Sequence, residues 1–70
     1  MKYLVVYERT QTGYGAYAPD LPGYAATADS LDELRTLVRE GIPFHLEGVR
    51  GDGDEPPPAI SMMAELVDAG

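Results

Sequence analysis

The sequence predicts an α+β domain of the order β-β-β-α-β, with a mostly antiparallel sheet and one helix packed on one of its faces. Three observations lead to this prediction. Aromatic and β-branched residues alternate near the start of the chain, glycine- and proline-containing turns divide residues 9–24, and a helix start lies at Ser30. Seventy residues suit one domain, and we expect residues 1–70 to form it.

The first three strands are predicted to follow one another as a meander. Residues 2–8 alternate between two faces and are apolar on both, which favours a strand. A polar loop ending at Gly13 leads to a second strand at residues 14–18, and Pro19 stops that strand because proline has no N–H for the ladder. Residues 24–28 are predicted to form a short, alanine-rich third strand.

The segment Pro19-Asp20-Leu21-Pro22-Gly23 is predicted to be a rigid turn between the second and third strands. Its two prolines fix two φ angles, and its glycine can take a positive φ. We interpret Pro22 and Gly23 as the corner of the turn. Asp20 either caps local N–H groups, the interpretation that we favour, or faces a partner.

A helix is predicted to begin after Ser30. Ser30 is a good N-cap, Glu33 three residues later completes a capping box, and Asp32 adds to the negative charge near the positive end of the helix dipole. At about 100° per residue, six side chains fall in one core-facing stripe. These six are Leu31, Leu34, Val38, Ile42, His45 and Val49.

The rest of the chain is less regular. Pro43 removes one hydrogen bond from the helix, so we expect one bent helix rather than two. Residues 51–58 read GDGDEPPP, a linker that cannot continue the helix. Residues 59–69 have spacings that fit either a helix or a strand. A fourth strand is favoured because a right-handed crossover would lay it beside the first strand, in the order 3-2-1-4.

Composition narrows the classes of function. Five basic residues stand against twelve acidic ones, a net charge of −7, so we expect no direct nucleic-acid binding and electrostatic steering towards a basic partner. No segment approaches the roughly 20 apolar residues that cross a bilayer, and the N-terminal apolar run is too short for a signal peptide. We therefore expect a cytoplasmic protein without membrane contact.

Few residues could carry out catalysis, so we expect a protein that is not an enzyme and needs no cofactor or metal. The chain has no cysteine, and its one histidine, His45, lies on the apolar stripe without a recognisable nucleophile beside it. Glu8, Glu40 and Asp68 could be combined into a two-metal nuclease site. We regard this as the least favoured alternative, because Glu40 lies on the solvent side of the helix.

Two blocks of sequence resemble the HicB antitoxin family: GYGAYAPDLPG at residues 13–23 and DSLDEL at residues 29–34. The resemblance implies a partial ribonuclease-H-like fold without nuclease activity. It also implies a protein that binds a small basic mRNA-cleaving toxin of the HicA type and neutralises it by covering its active site. Many members carry a further DNA-binding segment, and we do not expect autorepression by these 70 residues alone.

Surplus apolar and acidic residues are the candidate partner contacts. Leu37 and Phe44 lie off the core stripe and are predicted to be apolar anchors. The acidic candidates are Asp20, Asp32, Glu33, Glu40 and Glu47. A solvated helix face explains any single one of these acidic residues equally well. We also expect a homodimer or another homo-oligomer, and the alternative to an antitoxin is a standalone homo-oligomeric adapter without a toxin.

Overall fold

Three antiparallel strands precede one long helix in the computed structural model, which describes residues 2–70 of the predicted 1–70 domain and leaves Met1 outside the described residues. Strand β1 spans Val6–Arg9, β2 spans Tyr14–Tyr17, β3 spans Ala25–Ala28 and helix α1 spans Leu31–Gly51. The sheet order is β1-β2-β3, so each strand pairs with its neighbour in sequence. The α+β class and the predicted meander are confirmed.

The register of the sheet sorts its side chains onto two faces. Ala16 pairs with Ala26, and this pair lies on the face that α1 covers. Val6 pairs with Tyr17 on the opposite face, because neighbouring residues of a strand point to opposite sides. Within residues 2–70 no second helix covers that opposite face, which leaves part of its apolar surface open.

The core lies between α1 and the sheet. Ala16, Leu34 and Val38 form its buried cluster, and partly buried apolar side chains pack around them. All six residues of the predicted helix stripe are buried or half-buried, so that prediction is confirmed. The helix begins as predicted, with Ser30 Oγ accepting a hydrogen bond from the Glu33 N–H at 3.2 Å. It also continues through Pro43 as one helix.

The Pro19–Gly23 turn connects β2 to β3 as predicted. The Leu21 N–H donates to the Ala18 carbonyl at 3.0 Å, and the Tyr24 N–H donates to the Leu21 carbonyl at 3.1 Å. Gly23 has a φ of 85°, a value that favours glycine. Leu21 is one of the most deeply buried side chains of the described residues, so this turn also supplies core.

The predicted fourth strand is wrong, and with it the order 3-2-1-4. Residues 54–70 have no regular secondary structure, and β1 lies at one edge of the sheet. A strand keeps one register when one of its faces is buried, whereas residues 62–70 are all exposed. The first strand begins at Val6 rather than at residue 2, because residues 2–5 have no strand beside them. The strands β2 and β3 each differ from their predicted bounds by one residue.

Candidate partner-binding face

Five of the predicted partner contacts lie along one side of α1. At about 100° per residue they fall within a stripe roughly 80° wide, on a different side of the helix from its core residues. We refer to Glu33, Leu37, Glu40, Phe44 and Glu47 as the acidic stripe. All five residues are exposed. Because one rigid helix carries them, their side chains are held in a fixed order along about 21 Å of helix.

Leu37 and Phe44 form the apolar part of the acidic stripe. They are 42% and 77% exposed, and Phe44 is more exposed than any tyrosine of the chain. The two lie seven residues apart, so they occur on the same side of the helix two turns from each other. Large apolar side chains left in water beside charged ones are typical of a surface that another protein covers.

The basic residues of the helix lie on a different flank. Arg35, Arg39 and Arg50 are each about 100° or more from the centre of the acidic stripe. Asp32 belongs to this flank, where its carboxylate lies 3.8 Å from the Arg35 guanidinium and is almost fully exposed. An exposed pair of this kind contributes little to stability. The structure therefore places Asp32 apart from the other helix candidates, and within residues 2–70 no arginine of α1 forms an ion pair with a carboxylate of the acidic stripe.

A shallow groove of about 470 Å³ opens beside Phe44. It is lined by Tyr24, Gly41, Phe44, His45, Gly48, Val49 and Asp52. The rings of Tyr24 and His45 meet edge to face at 5.6 Å. A Cβ at Gly41 would lie 2.6 Å from the Tyr24 hydroxyl, whereas a Cβ at Gly48 would meet nothing within 4 Å. Gly41 thus allows Tyr24 to pack on the helix, and Gly48 leaves the groove open.

Tyr24 is one of several groove residues that the sequence did not single out for a site; only Phe44 was predicted as a partner contact. Burial raises the pKa of Tyr24 above its ordinary value, and the nearby Tyr7 adds to the rise. The side chain therefore remains a neutral phenol at neutral pH. Gly41 and Gly48 recur at a spacing of seven around Phe44, which is the sequence signal that could have indicated a concave patch on this side of the helix.

Asp20 makes its contacts within the chain. Its Oδ2 accepts hydrogen bonds from the Ile60 N–H at 2.9 Å and the Ser61 N–H at 2.7 Å, and its Oδ1 accepts one from the Ser61 hydroxyl at 2.9 Å. The Ser61 N–H contributes most to holding the pKa of Asp20 below its ordinary value, opposed in part by desolvation. We call this set of bonds the Asp20 clasp. Nearby, the Tyr3 hydroxyl donates a hydrogen bond to the Pro57 carbonyl.

The residues of the nuclease alternative are not brought together. Within residues 2–70 no group of three His, Asp or Glu side chains is placed to hold a metal ion. Glu8 lies on β1, Glu40 in the acidic stripe and Asp68 in the irregular segment after the helix. In the same described part of the chain, α1 lacks the apolar length that a membrane-spanning helix requires.

The meander, its Pro19–Gly23 turn and the Ser30-capped helix define a small α+β fold whose helix shows an acidic, partly apolar side to solvent. Residues 3–69 match the family described as the HicB-like antitoxin of bacterial toxin–antitoxin systems. The chain belongs to this family, so the resemblance read from the sequence is confirmed.

Two curated relatives are similar to the chain. One is described as an uncharacterized 14.9 kDa protein in the rep-hol intergenic region of Haemophilus phage HP1, 37% identical over 57 residues that make up 81% of this chain and 43% of the phage protein. The other is a UPF0150 protein of Archaeoglobus fulgidus, 44% identical over 48 residues, 67% of this chain and 70% of the archaeal one. The chain thus spans less than half the length of the phage relative. No solved structure matches it.

Proposed function

We propose that this protein is a cytoplasmic antitoxin that binds and neutralises a small, basic, mRNA-cleaving toxin of the HicA type. In this proposal it is a homo-oligomer, its fold is a partial ribonuclease-H-like one, and it has no catalytic activity. The observation that carries the proposal is the acidic stripe of α1, which occurs in a member of an antitoxin family. A second copy of the chain completes the assembly.

The acidic stripe combines the two features that a binding site for a basic protein needs. Glu33, Glu40 and Glu47 recur every seven residues, and with a net charge of −7 they steer a cationic partner towards this side of the helix. Leu37 and Phe44 lie between them and supply apolar area that a partner can bury. This is the pattern of a helix that lies in the groove of another protein.

Such a helix would neutralise a ribonuclease by competing with its substrate. An enzyme that binds RNA needs cationic groups for the phosphates of the backbone. Carboxylates fixed along a rigid helix present negative charge to the same cationic groups, and the apolar anchors then exclude water from the contact. The toxin surface occupied in this way is no longer available to messenger RNA.

The test distinguishes the effect of charge position, in the acidic stripe, from the effect of the net charge of the chain. The full chain is used as bait in its native lysate, a retained small basic protein is purified, and its cleavage of RNA is measured with the chain added. Replacing two stripe glutamates (E40Q and E47Q) is compared with a matched control in the loop after the helix (D54N and E55Q). Both variants change the net charge from −7 to −5, since each removes two negative charges.

We expect the stripe variant to associate with the toxin at least about tenfold more slowly and to protect RNA poorly. Electrostatic steering depends on where the charges lie. The loop variant should protect RNA nearly as well as the unmodified chain. Equal losses in both variants would show that only net charge matters and would contradict the assigned face. If no toxin is retained, the standalone adapter becomes the better explanation, and the exposed apolar residues after position 59 favour that second candidate.

A further inference from the structure

The segment of residues 62–68 leaves its large apolar side chains in water. Together with Ile60 at its start, these side chains are between 74% and 103% exposed. They are Ile60, Met62, Met63, Leu66 and Val67. Nothing else in residues 2–70 covers them. The Cα radius of gyration is 13.4 Å, whereas a compact chain of this length has about 11 Å, so mass extends away from the core.

Strand β1 has an unpaired edge that could accept a further strand. It pairs with β2 on one side only, so the backbone N–H and C=O groups along its other side are an open sheet edge. Val6 and Tyr17 add apolar surface to the uncovered face of the sheet next to this edge. A further strand placed along Val6–Arg9 would pair these backbone groups and bury part of that surface.

The residues that precede segment 62–68 are held near this edge by hydrogen bonds. The Asp20 clasp holds Ile60 and Ser61. A cavity of about 370 Å³ lies between residues 59–62 and the start of the chain. It is lined by Lys2, Tyr3, Leu4, Ala59, Ser61 and Met62. Residues 2–4 lead directly into β1. Segment 62–68 therefore leaves the body of the domain beside the N-terminal end of the β1 edge.

We propose that segment 62–68 of one copy, which we call the arm, adds as a strand to the β1 edge of a second copy, and that the exchange is reciprocal. This inference deepens the self-association included in the proposed function and rests on it. A symmetric dimer is favoured over another partner because each copy carries both the arm and the edge, so a single arrangement covers both. The arm carries Glu65 and Asp68, and Lys2 and Arg9 at the two ends of the edge supply opposite charge, with Glu8 between them.

The chain contains no cysteine, so single cysteines report contacts cleanly. An E8C chain, with its cysteine on β1, is mixed with an isotope-labelled E65C chain, with its cysteine in the arm, and treated with a short bis-maleimide. Mass spectrometry then counts the mixed product. A matched mixture of T36C with E65C is the control, because Thr36 is exposed on α1, which packs on β2 and β3 rather than on β1.

We expect the E8C–E65C mixture to yield about tenfold or more mixed product than the control, because cross-linking requires the two chains to approach within the length of the reagent. Equal yields would overturn the proposal. The double variant E8C/E65C distinguishes exchange from folding back: products joined between chains support the exchange, and products closed within one monomer overturn it.

A second measurement uses light scattering on the purified chain alone. Leu66→Asp with Val67→Asp should raise the dimer dissociation constant about tenfold or more, because both side chains are largely exposed to solvent in the single chain and would be covered in the dimer. Unchanged dimerisation, or an unmodified chain that is monomeric throughout, would overturn the proposal. The toxin assay depends on the acidic stripe, so its failure is distinguishable from a failure here.

Discussion

Two glycines on the same side of α1 have opposite surroundings, and this contrast makes the helix–sheet contact testable at single residues. Gly41 lies beneath Tyr24, whereas Gly48 faces open space. We expect Gly48→Ala to stabilise the protein by about 0.5–1 kcal/mol, because alanine is the better helix former and meets no neighbour. Gly41→Ala should destabilise it by about 1–3 kcal/mol, because the new Cβ overlaps the Tyr24 hydroxyl. Urea unfolding measures both.

The control for this pair is the removal of the tyrosine ring. In a Tyr24→Ala background the clash disappears, so Gly41→Ala should change from destabilising to neutral or stabilising, while the effect of Gly48→Ala stays the same. A Gly41→Ala variant that is equally destabilised with and without the ring would contradict the packing of Tyr24 on the helix.

Asp20 gives the protein a pH-dependent contact. Its pKa is lowered in the folded chain, chiefly by the hydrogen bond from the Ser61 N–H, so the clasp favours the ionised carboxylate. A lowered folded-state pKa stabilises the clasp at pH values above the ordinary 3.8, and this stabilisation is lost as pH falls through the lower folded-state value. We expect acid to release residues 60 and 61, seen as faster amide exchange at Ser61. Asp20→Asn should show fast exchange at neutral pH already, and protection that persists in that variant would argue against the clasp.

At the scale of elements, local signals account for what could be predicted. Alternation and glycine- or proline-containing turns locate the three strands, and the Ser30 cap with its apolar stripe locates α1, because each signal lies within a few residues of the structure it determines. The fourth strand could not be decided in this way. Its residues fit two periods, and only a buried face would have chosen between them.

The candidate site likewise contains residues that local sequence patterns predict and contacts that they do not. Leu37 and Phe44 could be singled out because they lie off the apolar stripe of a helix whose period is known. The Tyr24 groove and the Asp20 clasp could not, since the first needs the turn after β2 to place a ring on α1 and the second joins residues about 40 positions apart. Contacts of this range depend on the assembled fold rather than on a local pattern.

At the scale of the whole molecule, the small core limits the stability of a single chain. In residues 2–70 the buried apolar set consists of Ala16, Ala18, Leu21, Leu34 and Val38. A domain of this size buries only about 60% of the surface that its unfolded chain exposes, so it is marginally stable alone. A dimer that covers the arm and the β1 edge would add apolar burial that the single chain lacks.

This coupling predicts that thermal stability depends on protein concentration. If folding and exchange are linked, the midpoint of thermal unfolding should rise as concentration increases, because dimerisation removes folded monomer from the unfolding equilibrium. The Leu66→Asp, Val67→Asp chain should instead unfold at one temperature throughout, while keeping the helical circular dichroism of the unmodified protein, since neither residue packs on the core. Differential scanning calorimetry over a wide concentration range measures both. A midpoint independent of concentration in the unmodified chain would contradict the exchanged dimer, because association of folded chains stabilises them by mass action.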